Sequence, residues 1–172
     1  MTFNELALQR RSIRGFLDTP VSQTQLDKIL EAAQAAPSGG NRQPWHFYVI
    51  RRKDLILDIK EKACNQNSFA SAPLVLVVCI DATRFAERYG ERGETLYAIQ
   101  DTAAAIQNML LCAAEQGLGT CWCGAFDEAA VCKLLSLSDT QRPVALIPVG
   151  VPAMEPVEYR RRSIAEIATF ID

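Results

Sequence analysis

Residues 95–116 hold the longest helical pattern in the chain, closed by Gly117 just past its end, where a left-handed backbone favours glycine. At ~1.5 Å per residue such a helix spans roughly 33 Å, about the width of a small domain. Leu96, Ile99, Ala103, Ile106, Leu110 and Ala114 recur along it, and Ala104, Ala105, Met109 and Cys112 add apolar surface on its other sides. A helix that is apolar nearly all round is buried on several sides. A chain of 172 residues is long enough for one domain with a sizeable core and short for two. In so small a protein, part of this helix is expected to meet another subunit.

The flanking segments are simpler. Asn4 to Gln9 reads as a short first helix. Ser22, with Gln25 three residues on, forms a capping box, and Leu26, Ile29, Leu30 and Ala33 follow at amphipathic spacing until Pro37 stops the helix. "WHFYVI" (45–50) is aromatic and β-branched and reads as a strand. Residues 54–62 suggest a short helix carrying Leu55 and Ile59. "LVLVVCI" (74–80) suits a strand covered on both faces. Asp127 caps a further helix to Leu135, and "PVALIPVGV" (143–151) supplies the last core strand. Strands alternating with helices point to an α/β or α+β layered fold, and no repeat or linker divides residues 1–172, which read as a single domain.

Hydrophobic residues make up 49% of the chain and charged residues 22%, a composition suited to a globular protein in water. The longest apolar stretches, between Asp101 and Glu115 and before Asp81, fall short of the roughly 18 residues of a membrane span. The N-terminus lacks the charged-then-apolar order of a secretion signal, so a cytoplasmic protein with six reduced cysteines is expected.

Positive charge concentrates in "RRSIRGF" (10–16), although the net charge is -2. Nothing broader makes a nucleic-acid footprint. In an extended chain Arg10, Ser12 and Arg14 line one face while Ile13 points the other way, into the core. Two guanidiniums and a hydroxyl then suit one small anion such as a phosphate, or form a solvated edge with no ligand. "APSGGNRQPWHFYVI" (36–50) places two glycines with Ser38, Asn41 and Gln43 beside an apolar strand. That composition fits a flat heteroaromatic ligand, and also an ordinary helix-to-strand connection. "YRRRS" (159–163) is a second arginine cluster, either a solvated tail or the other jaw of an anion clamp.

"GLGTCWCGAF" (117–126) fails as a dinucleotide fingerprint, because Trp122 stands where the third glycine belongs. Cys121 and Cys123, lacking a second ligand pair, read as buried small hydrophobes on one side of an extended segment rather than a metal site or disulfide. The single histidine, His46, lies between aromatics and reads as a core or interface residue. With no acid–base constellation in view, an enzyme of this sequence leaves the hard step to a cofactor.

Six segments in order, "RRSIRGF", "APSGGNRQPWHFYVI", "SAPLVLVV", "RYGERGETLYAIQDTAAAIQNMLL", "GLGTCWCGAF" and the closing arginines, make the chain resemble the FMN-dependent nitroreductase family, particularly its short single-domain members. The resemblance implies a central sheet flanked by helices, and a homodimer built around the long helix with two FMN sites at the subunit boundary. It implies that Arg10, Arg11, Ser12 and Arg14 form the first FMN segment, Arg10 and Ser12 on phosphate and ribityl groups and Arg14 at the pyrimidine edge. Pro37, Ser38 and Gly39 would line the ring, with Asn41 near the neighbouring subunit's flavin and Gln66 reaching the cofactor. Cys123 and Gly124 would supply backbone N–H groups near N5 and O4, and Arg161, with Arg160 or Arg162, would complete the phosphate site. The implied activity is reduction of nitroaromatic, quinone or related small acceptors by NAD(P)H in ping-pong exchange, without a metal. Dehalogenation, flavin fragmentation, or a non-catalytic flavin-binding redox sensor are the alternatives.

Overall fold

Leu74–Asp81 (β2) is the strand about which the other elements are arranged. The computed structural model describes residues 1–84 and 86–171. Alternation along β2 sends Leu74, Leu76 and Val78 to one core and Val75, Val77 and Cys79 to another, so the uninterrupted apolar run serves two faces at once. Trp45–Ile50 (β1), Gly119–Thr120 (β3) and Gln141–Gly150 (β4) complete a four-stranded sheet of order β1-β2-β4-β3, antiparallel at every pairing. Between Val78 and Cys79 the β2–β4 register shifts.

Gln23–Gln34 (α2) and Ala98–Glu115 (α6) cover one face; Lys53–Ile59 (α3), Ser68–Ser71 (α4) and Glu128–Leu135 (α7) cover the other. The first helix is Phe3–Gln9 (α1), capped by Thr2. The expected caps form: the Ser22 hydroxyl accepts from Gln25 N at 3.2 Å, and Asp127 from Ala130 N at 3.0 Å. Gly117 takes φ +73 and Leu118 N closes back on Ala113 O at 2.9 Å. His46, expected in the core or at an interface, is exposed on edge strand β1, which excludes the core.

The long helix is shorter than its sequence pattern. Ala86–Arg92 (α5) contains Gly90 at φ +52, and Gly93–Tyr97 winds as a π turn before α6 begins. The Thr95 hydroxyl donates to Glu91 O at 2.7 Å, drawing on a carbonyl of the preceding turn. Lys60–Cys64 is a second π turn, and Asn65 leaves it in the left-handed conformation to set up Gln66. Beyond Val151 the chain runs out along the surface, with one short turn of helix at Ile164–Ile167 (α8). No helix among the described residues is long and apolar enough to cross a membrane.

Candidate functional site

The basic segment leaves α1 at Arg10 and is held extended from both sides. Ser12 bridges Thr120, with Ile13 N donating to Thr120 O at 2.8 Å, and Phe16 bridges Pro152. Ile13 is buried as expected, and its seat explains a glycine: a Cβ on Gly119 would lie 2.8 Å from Ile13 Cβ. A Cβ on its ladder partner Gly150 would meet Pro73 at 2.7 Å and Phe16 at 3.1 Å. Two paired glycines thus let the segment lie against the sheet's end.

Arg10 is half-buried, its Nε without a hydrogen-bond partner. Burial, then the charges of Arg161 and Arg11, holds its pKa below the ordinary guanidinium value. No ion pair among the described residues includes Arg10, Arg14 or Arg161. A desolvated orphan donor amid like charges is the environment an anion relieves, so these residues fit a phosphate-bearing cofactor. Arg11 folds back onto the carbonyls of Leu8 and Arg10, at the end of α1. Arg162 donates to Glu166 O, while Arg161 is the C-terminal arginine whose charge reaches Arg10.

Gln66, Cys121, Cys123 and Gly124 join this group. The Cys123 thiol donates to Gln66 Oε1 at 3.1 Å, and Ser12 and Arg14 both act on Cys121. The Cys123 N–H donates to Leu146 O at 3.0 Å within the sheet, which leaves the exposed Gly124 as the backbone donor for a ligand. A cavity of ≈ 660 Å³ beneath Arg10 and Arg11 is lined by Leu6, Ile13 and Leu118, but not by Ser12 or Arg14, and lies off this face.

Pro37, Ser38, Gly39 and Asn41 lie elsewhere. Asp101, in the first turn of α6, accepts from Gly39 N at 2.9 Å, and Ser38 Oγ accepts from Gln43 N at 3.0 Å. Burial raises the Asp101 pKa, and the Gly39 N–H opposes the rise. Three residues of this loop, Gly40, Asn41 and Gln43, have positive φ, and a Cβ on Gly40 would strike the Tyr89 hydroxyl at 2.6 Å. Arg42 carries a second buried Nε without a partner. The basic segment lies toward the opposite end of α6: Arg10, Arg11 and Ile13 share a cavity wall with Ala114 and Gly117, and Ile13 N donates to Thr120 O just beyond the helix. Ala114 lies thirteen helical positions beyond Asp101, roughly 20 Å along the axis. One chain therefore gathers residues 10–14, 66, 121–124 and 161 at one end of α6 and carries residues 37–41 at the other.

Sequence reasoning passed over Asp101 as a tether and Tyr89 as a packing partner. An acidic residue just inside a long helix, sixty-two positions from the glycine it anchors, leaves no local signature.

The nitroreductase family profile matches residues 7–66 and 56–151. A protein of Methanothermobacter thermautotrophicus, under the provisional name NADH dehydrogenase/NAD(P)H nitroreductase, is 34% identical over 151 residues, covering 86% of this chain and 75% of its own. The FMN reductase [NAD(P)H] of Bacillus subtilis is 31% identical over 156 residues, 83% of this chain and 63% of its own. The crystal structure of a nitroreductase family protein from Clostridium difficile superposes with a TM-score of 0.88 at 32% identity, covering 99% of this chain and 98% of that one.

Proposed function

This chain belongs to the nitroreductase family and is an FMN-dependent NAD(P)H oxidoreductase; from that premise we propose that two copies complete two flavin sites at their common boundary. The enzyme passes electrons to nitroaromatics, quinones or related small acceptors in ping-pong exchange. The observation that carries the two-chain reading is the separation of the half-sites along α6. A two-fold axis across α6 brings residues 37–41 of one copy against residues 10–14 of the other.

Unpartnered apolar surface supports the same reading. Ile99 is 41% exposed, and Ala103, Leu111 and Ala114 continue its stripe half-covered. The C-terminal arm exposes Met154, Val157, Tyr159, Ile164, Ile167, Phe170 and Ile171. Large apolar side chains left exposed in such number on these two segments support an interface.

Arg10, Ser12 and Arg161 hold the phosphate and ribityl groups by charge-assisted hydrogen bonds. Pro37, Ser38 and Gly39 would line the ring from the other copy, with Asn41 beside them, while Gln66 and the Gly124 N–H would address its polar edge. FMN bound here would supply a hydride-carrying ring that is more anionic on its pyrimidine side when reduced. Arg14 is exposed and free to turn to that edge, where its charge would stabilise the reduced form and orient the ring. The backbone donor at Gly124 holds its place because the Cys123–Leu146 bridge pins the preceding residue.

The purified protein should be yellow, and its visible absorbance should bleach anaerobically on addition of NADH or NADPH. A colourless protein that takes up no FMN would contradict this reading. Bleaching without turnover of any nitro or quinone acceptor would favour the sensor alternative.

A further inference from the structure

We propose that Cys121 and Cys123 form a peroxide-responsive dithiol that closes into an intrachain disulfide. The two sulfurs lie 4.0 Å apart, and their residues are 3% and 2% exposed. Their common orientation follows from the backbone: residues 119–123 continue alongside β4, with Cys121 N donating to Pro148 O at 3.3 Å and Cys123 N to Leu146 O at 3.0 Å. Pro148 has no N–H to return, so the formal strand ends at Thr120 while the chain stays extended and alternate side chains share a side.

Thiols buried only as small hydrophobes need no polar company, but these have it. Cys123 has one proton and two acceptors for it, Gln66 Oε1 at 3.1 Å and the Cys121 sulfur at 4.0 Å. The hydrogen bond from Cys123 is the largest influence lowering the Cys121 pKa; burial opposes it, and Arg14 and Ser12 assist. The same arrangement, with burial, raises Cys123. Arg14 and Ser12 thus favour the thiolate at Cys121, and the neighbouring Gln66 carbonyl favours the protonated form of Cys123. By contrast, burial pushes the Cys79 thiol up to about 12 and raises Cys64 and Cys112. The thiolate is the form that attacks an oxidant.

The Cys121 thiolate attacks one oxygen of hydrogen peroxide, the O–O bond breaks, and hydroxide leaves to become water with a proton from solvent. The sulfenic acid so formed on Cys121 is attacked by Cys123, whose proton joins the departing hydroxyl as a second water while the S–S bond forms. Two thiols and one peroxide give one disulfide and two waters; sulfur loses the two electrons that peroxide gains. Extended residues two apart place their α-carbons about 6.7 Å from each other, at the upper edge of the disulfide range. Closure brings the sulfurs together from 4.0 Å, and a dithiol reductant reopens the bond by exchange.

The test exposes reduced protein to equimolar hydrogen peroxide, then unfolds it, alkylates free thiols and maps masses. The expected product has lost two hydrogen atoms and two alkylatable thiols, maps to Cys121 and Cys123, and reverts with dithiothreitol. Cys121→Ser and Cys123→Ser should each abolish the linkage, the latter leaving a dimedone-reactive sulfenic acid on Cys121. Should either variant fail to fold, the mapping on the unsubstituted chain still decides. Cys121 and Cys123 remaining alkylatable, or oxygen adding first at Cys64, Cys112 or Cys132, would overturn the proposal. None of these readouts depends on the flavin.

Discussion

Arg10 is half-buried, lies within reach of the charges of Arg161 and Arg11, and leaves its Nε without a partner. Desolvation, like-charge proximity and an orphan donor each disfavour the ligand-free state. Their coincidence on one guanidinium gives two predictions of opposite sign. Arg10→Ala should weaken FMN binding by about 1.5–3 kcal/mol, roughly ten- to a hundredfold. The same change relieves repulsion, so the flavin-free protein should melt no lower than before. Flavin titration beside thermal melting of the stripped protein reads both; retained affinity with a lower Tm would make Arg10 a structural residue. Arg161→Ala should reproduce the affinity loss, whereas Arg162→Ala, removing a guanidinium already bonded to Glu166 O, should change affinity less.

At the scale of elements, the basic segment is positioned by what lies under it. Gly119 faces Ile13 with no room for a methyl group, and the bridge at Thr120 fixes the register that sets Ser12 and Arg14 on the other side. Gly119→Ala should cost about 1–3 kcal/mol by overpacking and also weaken flavin binding, although residue 119 is assigned no contact with the cofactor. Denaturant melts and flavin titration on one preparation check this; unchanged affinity in a destabilised protein would uncouple the junction from the site. Elements built from local information were legible in the sequence: the Ser22–Gln25 box, the Asp127 cap, the two-faced run of β2 and the left-handed Gly117. The π turns at Lys60–Cys64 and Gly93–Tyr97 were not, because a single wide turn carries no residue-type signature of its own. The Asp101–Gly39 tether and the placement of Gln66 beside Cys123 were also out of reach, since each joins residues far apart in sequence. Residue types and motif order could suggest the basic segment and the glycine loop as site components, but only the length of α6 between them separates them into two halves.

For the whole molecule, the half-sites at opposite ends of α6, the half-covered stripe through Ile99 and Ala103, and the apolar C-terminal arm all favour a second copy. The central claim is that each flavin is held by residues from two chains, and mixing subunits with different lesions tests it most directly. Arg10→Ala damages one half-site. Asn41→Asp damages the other, setting a carboxylate toward an anionic cofactor at a position whose φ of +55 Asp tolerates. Each variant alone should bind flavin poorly. In dimers of the two, one site collects both lesions and the other has neither, so random reassortment should restore wild-type affinity at about a quarter of all sites. Flavin binding that never exceeds the average of the separate variants would contradict the shared site and return every contact to a single chain.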